Sequence, residues 1–254
     1  MMLDLLPPVT LALAIAITFF AGFVKGAVGF AMPLIMISGL SMVMDPLLAL
    51  AGLLIPTAAS NLLQVLRAGR AEAWDALRGF WRFIAAVCVM VFVSAQIVTA
   101  IPAQGMYLFI GVPVLTMSLL LLSGWQIRIA DAYRLPADLG IGSLAGLIGG
   151  ISGVWGPPTV LYLLALDTPR ARMMAVQGVV FGLGGLMLLA GHLNSGVLNA
   201  QTFPFSLLLM APAALGMWVG FRMGDRLDPA RFRRWTLVVL VVAGANLIRR
   251  GIMG

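Results

Sequence analysis

The chain nearly lacks the side chains on which most soluble chemistry depends. Its 254 residues include one cysteine, Cys88, one histidine, His192, and one lysine, Lys25. A lone cysteine leaves no internal disulfide and no thiolate metal site, and a lone histidine leaves no His-rich or His/Cys metal centre. Charge is also scarce. Asp, Glu, Lys and Arg together make up 10% of the residues, against about a quarter in an ordinary soluble domain. The apolar segments hold no Ser/His/Asp set and no paired carboxylates. An enzyme is therefore not expected, and no cofactor or metal is implied.

What fills the space is hydrocarbon: 61% of the residues are hydrophobic and the mean hydropathy is +1.05. Too few polar groups remain to cover a globular surface, so the chain is expected to be an integral membrane protein with the lipid bilayer as its main partner. Met1–Pro8 carries Asp4 but none of the basic residues of a signal-peptide n-region, and the apolar character continues to the C-terminus. The net charge of +7 sits in short arginine clusters between apolar runs. That is the pattern of cytoplasmic membrane loops and not of a nucleic-acid-binding face.

Apolar runs of spanning length occupy about 46–66, 80–101, 105–123, 172–191, 203–221 and 235–250, each near the roughly 20 residues that a crossing helix needs. Two further stretches, 9–43 and 138–166, are too long for one span and too short for two, and glycines and a proline interrupt both. Each is either one long broken crossing or a hairpin that returns to the side it came from. The arginines discriminate. With single crossings, Arg170, Arg172, Arg222, Arg226, Arg231, Arg233 and Arg234 fall outside, which divides the arginines almost evenly. With hairpins, thirteen arginines share the cytoplasmic side and only Arg249 and Arg250 lie outside, as the positive-inside rule prefers. Hairpins with both termini outside are therefore expected.

A hairpin plus three spans crosses an odd number of times, so a second copy would be inserted upside down. The copies can be read directly. Residues 22–33 are GFVKGAVGFAMP and residues 146–157 are GLIGGISGVWGP. Gly22, Gly26, Gly29 and Pro33 in one match Gly146, Gly150, Gly153 and Pro157 in the other, always 124 residues apart. Asp45-Pro46 and Asp167-Thr168-Pro169 follow, and both read as the start of the next helix. The expected fold is all-α and membrane-embedded. It is an inverted repeat of two units, 1–124 and 138–254, joined by a cytoplasmic linker, 125–137. Each unit holds a broken, re-entrant hairpin and three transmembrane helices. GxxxG spacing also serves plain close packing of helices.

Such paired breaks free backbone N–H and C=O groups that cannot face lipid and must line a cavity. Half-helix N-termini there favour anions. The two glycine-rich segments, the phrase GFVKGAVGFAMP and the later IPTAASNLLQ resemble the sulfite exporter TauE/SafE family of bacterial membrane transporters over nearly the whole chain. The resemblance implies a multi-pass protein of the bacterial cytoplasmic (inner) membrane that moves sulfite, an organosulfonate or a related small anion. With the paired breaks, the expected function is a secondary carrier or exporter working by alternating access between the two hairpins; the alternative is an anion channel or facilitator without ion coupling. The chain departs from the commoner glycine-triplet form: Phe30-Ala31 follow Gly29, and Val154-Trp155 follow Gly153.

Lys25, a cation inside an apolar segment, is the sharpest candidate for binding or gating the anion; the alternative is snorkelling to an interface. Gly26, Gly29, Gly150, Ser152, Gly153 and Trp155 are candidate backbone or side-chain contacts at the two tips, with Gly22, Pro33, Gly146 and Pro157 as helix breaks. Trp155 reads as packing, with a gate as the alternative. Thr57, Asn61 and Gln64 share one helical face, where they could donate to anion oxygens or join helices, and Gln177 has the corresponding place in the second half. His192, beside Asn194, is expected in an outer loop. Arg67, Arg70, Arg231, Arg233 and Arg234 read as topology signals, with substrate steering as the alternative. The nine acidic residues, Asp4, Asp45, Glu72, Asp75, Asp131, Asp138, Asp167, Asp225 and Asp228, are all expected at ends or in loops. A proton-coupled mechanism would then fall to Lys25, to a protonated substrate, or to the helix starts at Asp45 and Asp167.

Overall fold

The computed structural model describes residues 6–29, 31–124, 128–223 and 228–253. Phe30, residues 125–127 of the linker, Asp4, Asp225 and Arg226 lie outside the described residues. Within them the chain is helical throughout: α1 (Pro8–Val28), α2 (Met32–Val43), α3 (Pro46–Ala68), α4 (Arg70–Ala95), α5 (Ala103–Ser123), α6 (Arg134–Ser152), α7 (Gly156–Ala165), α8 (Arg170–Asn194), α9 (Phe203–Met223) and α10 (Pro229–Met253). Eight of these helices are long and apolar enough to cross a membrane; α2 and α7, with 12 and 10 residues, are half-length.

The expected breaks fall at equivalent glycines. Gly29 and Gly153 both adopt left-handed conformations, with φ of 85° and 75°, and end α1 and α6. The Gly29 N–H donates to the Lys25 carbonyl at 2.8 Å and the Gly153 N–H to the Gly149 carbonyl at 2.7 Å. A left-handed residue closing the last turn is the ordinary glycine C-cap. Prolines in the first turn then start both half-helices.

The helix starts after the breaks differ. Asp45 caps α3 as expected, accepting from the N–H groups of Leu47 at 2.9 Å and Leu48 at 3.3 Å. Asp167 does not cap α8. It has a φ of 53° and closes the end of α7, its N–H donating to the Leu164 carbonyl, while Pro169 takes the N-cap position. Aspartate visits the left-handed region more readily than most residues because its short polar side chain can hydrogen-bond locally. The apolar run at 80–101 also understates α4, which begins at Arg70 and bends at Phe80, where φ is −130° and ψ is 19°.

Glycines set how the long helices pack. α1 and α9 run parallel with backbones in contact: a Cβ at Gly216 would stand 2.0 Å from the Phe19 carbonyl oxygen, and one at Gly220 2.2 Å from that of Phe23. α4 and α6 run parallel in the same way, with the Val87 carbonyl against Gly146 and the Val91 carbonyl against Gly150. α3 also runs parallel to α9, with Gly52 beside Phe205 and the Arg67 guanidinium over the Phe221 ring. α4 runs parallel to α8, with Gly79 beside Arg172 and Ala95 beside Gly191. Two pairs are antiparallel. α3 meets α8 with Ala58 beside Gly185 and Gln64 beside Gly178, and α5 meets α10 with Leu115 beside Gly244 and Gln104 beside Gly251.

These contacts gather the ends. The Ile129 N–H donates to the Ala165 carbonyl at 2.9 Å, and Arg78, Arg82, Arg134, Thr168 and Arg172 surround one cavity. The start of α4, the stretch from Ile129 to Arg134 and the α7–α8 junction are therefore at the same end. Arg250 lies at the other, donating to the Ser41 carbonyl at 2.7 Å.

Candidate functional site

Lys25 occupies the last turn of α1 and is only 4% exposed. Its ammonium donates to Ser60 Oγ at 3.0 Å and to Asn61 Oδ1. Asn61 in turn donates through Nδ2 to the Phe181 carbonyl at 3.0 Å. The amide orientation is fixed by chemistry, because the flipped form would press an NH₂ group against the ammonium. One chain of polar contacts therefore links α1, α3 and α8. Among the described residues no carboxylate pairs with Lys25, and its protein partners are neutral. Burying an ammonium is costly by several kcal/mol unless charge or hydrogen bonds compensate it; here hydrogen bonds alone do so.

Two cavities reach this lysine. The smaller, about 30 Å³, lies between the two helix breaks and is lined by Lys25, Ala31, Pro33, Asn61 and residues 153–157 with Phe181. It has room for a water or two. The N-termini of the half-helices α2 and α7 both border it, and their dipoles contribute partial positive charge. The larger cavity, about 290 Å³, runs from Lys25 and Gly29 past Ser60 and Gln64 to Arg67 and the Glu72 carboxylate. That space suits a small oxyanion, and its outer end is at the arginine-rich end of the bundle.

The structure thus brings together Lys25, Gly29, Pro33, Asn61, Gln64, Gly153, Trp155 and Pro157 of the expected residues. Trp155 is 2% exposed, and its Nε1 and the Oε1 of Gln64 have no protein partner. Others are engaged elsewhere. Gly22 and Gly26 press on the α9 backbone, and Gly146 and Gly150 on that of α4. Ser152 Oγ donates to its own helix at Ile148, 2.7 Å away. Thr57 is buried, and its carbonyl accepts from Ser60 Oγ at 3.1 Å. Gln177 is half-buried in α8 and lines neither cavity.

Ser60 and Arg67 were absent from the expected site, yet Ser60, Gln64 and Arg67 are spaced i, i+4, i+7 and so share a face. That signal stood beside the Thr57–Asn61–Gln64 face in the sequence. The Arg67 guanidinium lies 3.8 Å from the Phe221 ring centroid, which holds a cation at the cavity mouth.

Two positions depart from the sequence reading. His192 is not in an outer loop: it is fully buried in α8, its Nε2 2.9 Å from the Gly150 carbonyl. Asp138, in the second turn of α6, is 4% exposed and accepts a hydrogen bond from the buried Tyr162 hydroxyl. Phe83 of α4 stacks on the Tyr162 ring with centroids 4.2 Å apart. The pair joins the two limbs of the second break. Tyr162→Phe leaves the carboxylate without that donor and is expected to cost about 1–3 kcal/mol, read as a lower unfolding temperature in detergent with no change in anion affinity.

Eight helices of membrane-spanning length, interrupted by paired breaks around a buried cation, make up the anatomy of a membrane transporter. The family model for the sulfite exporter TauE/SafE matches residues 14–247, and the chain belongs to that family of membrane transporters for anions. It is not an enzyme family. Comparison with curated proteins and with solved structures returned no match.

Proposed function

We propose that this protein is a carrier for a small anion, sulfite, an organosulfonate or a related sulfur-containing species, working by alternating access between two opposed hairpins. The observation that carries this reading is Lys25. It is a buried ammonium with neutral protein partners, at the tip of one break, reached by a cavity of about 290 Å³. A small oxyanion in that cavity would supply the charge that Ser60 and Asn61 do not. Gln64 borders the same cavity and would add to its coordination, and Arg67 would draw it in from the mouth.

The directions of the helices support the inverted repeat. α1 and α3 both run parallel to α9, so the chain reverses along α2 between them. α6 and α8 both run parallel to α4, so it reverses again along α7. Equivalent helices exchange partners: α1 packs on α9 as α6 packs on α4, and α3 and α5 meet their own counterparts α8 and α10 antiparallel. A two-fold axis in the membrane plane accounts for both facts. We propose the units 1–124 and 138–254, with a cytoplasmic linker at 125–137. With the arginine-rich end in the bacterial cytoplasm, both termini face the outer side of the inner membrane, and the larger cavity is the inward route.

Thermal shift of the purified protein against sulfite, sulfonates, sulfate and carboxylates tests the substrate class. A rise with sulfite or a sulfonate, and none with carboxylates, is expected; the reverse order would sink the sulfur assignment. Asn61→Asp sharpens the test. A carboxylate at 61 would pair with Lys25, at the loss of the Asn61 bond to the Phe181 carbonyl, and is expected to weaken anion binding at least about tenfold. Undiminished binding would remove Lys25 from the site.

A further inference from the structure

The first ten residues of α4, Arg70–Gly79, precede the apolar run and the bend at Phe80. Beneath that bend is a cavity of about 460 Å³ that shares no lining residue with the two cavities at Lys25. Four guanidinium groups border it, from Arg78 and Arg82 of α4, Arg134 of α6 and Arg172 of α8. Two are engaged: Arg172 pairs with Asp75 at 3.2 Å, and Arg134 donates to the Gly79 carbonyl at 3.0 Å. Arg78 and Arg82 pair with no carboxylate among the described residues. They lie instead over the rings of Trp74 and Trp81, 4.8 Å and 5.5 Å from the centroids.

Those two tryptophans are 55% and 57% exposed. Exposed indoles at the end of a membrane helix mark the headgroup level. Three carboxylates also border the cavity. Asp138 is turned to Tyr162, and Asp131 and Asp167 are exposed, where water and salt screen them. Gly146 meets Val87 of α4 as Gly22 meets Ala213 of α9, so α9 positions lie 126 residues beyond their α4 counterparts; those matched to Arg78 and Arg82 are Pro204 and Leu208, and neither arginine has a basic counterpart there.

We propose that the cavity under the α4 bend binds the phosphate of an anionic phospholipid headgroup, with Arg78 and Arg82 as its guanidinium fork. A phosphodiester accepts paired N–H donors from guanidinium groups. A basic recess between helices at the cytoplasmic headgroup level is where such lipids are held. The volume exceeds that of a bare phosphate and accommodates its glycerol. The lipid would brace α4, α6 and α8, the helices that hold the second break.

Delipidated protein in detergent, titrated with phosphatidylglycerol, phosphatidylcholine and inorganic phosphate, tests this. Phosphatidylglycerol is expected to raise the unfolding temperature, whereas the other two leave it unchanged. The double variant Arg78→Gln/Arg82→Gln is expected to bind phosphatidylglycerol about thirtyfold more weakly, at about 1 kcal/mol per arginine. Lys25→Ala should respond to the lipid as wild type does, which separates this site from the transport site. An unaltered lipid response in the double variant, or an equal rise with inorganic phosphate, would overturn the proposal. Native mass spectrometry of the wild type needs no variant. One retained phosphatidylglycerol supports the site, and none retained overturns it.

Discussion

Lys25→Ala is expected to abolish anion transport, lowering flux about a hundredfold, while the protein still inserts and folds. The magnitude follows from losing a charge-assisted contact with the anion, worth up to about 3 kcal/mol. Folding should tolerate the change because alanine removes a buried charge together with its desolvation cost. Asn61 keeps its bond to the Phe181 carbonyl and Ser60 its bond to the Thr57 carbonyl. Lys25→Arg preserves the charge and is expected to retain part of the flux. The check is anion flux into proteoliposomes, normalised to folded protein in the same membranes. A Lys25→Ala variant with wild-type flux would leave the lysine a structural residue of the α1–α3 contact.

The second large effect concerns the glycine seams. At Gly216 an added methyl would stand 2.0 Å from the Phe19 carbonyl oxygen, and at Gly146 2.5 Å from that of Val87. These neighbours are backbone, so no side chain can turn aside and the two helices must separate. Gly216→Ala and Gly146→Ala are each expected to cost about 1–3 kcal/mol, seen as a lower unfolding temperature and less folded protein in the membrane. Gly140→Ala is the control. Nothing lies within 4 Å of its would-be Cβ, and the residue is helical, so the change is expected to be neutral or slightly stabilising. Equal behaviour of all three variants would mean that the seams do not hold the bundle together.

The seams also explain what was legible in the sequence. Spans could be read because the bilayer imposes a length on each apolar run, and the breaks because only glycine readily takes the conformation found at Gly29 and Gly153. The 124-residue correspondence of those breaks needed no structure, because glycine and proline have the same backbone roles at both breaks. Which helix meets which was not legible. In a lipid-solvated chain nearly every face is apolar, so periodicity does not tell an α9 contact from a lipid contact at Gly22 or Gly26.

The same blindness hid the burial of polar groups. His192 follows an apolar run and looked like a loop residue, yet the Gly150 carbonyl gives it a buried partner from another helix. Asp138 stands near the start of α6, and only the fold brings Tyr162 to it. Lys25 was legible as an anomaly, a single cation in an apolar run. Its neighbours were half-legible: Asn61 was found on one helical face, whereas Ser60 and Arg67 lay on the adjacent one. The extension of α4 to Arg70 was missed because a helix that begins in the headgroup region has no apolar run to announce it.

The most direct measurement of the central claim is counterflow in proteoliposomes. Vesicles loaded with unlabelled sulfite, or with whichever anion stabilises the protein best, are diluted into a trace of labelled anion. A carrier that exposes the Lys25 site to one side at a time is expected to accumulate label transiently above its equilibrium level, with saturable kinetics and no overshoot in Lys25→Ala. Non-saturable flux with no overshoot in the wild type would contradict alternating access and mark a continuous pore.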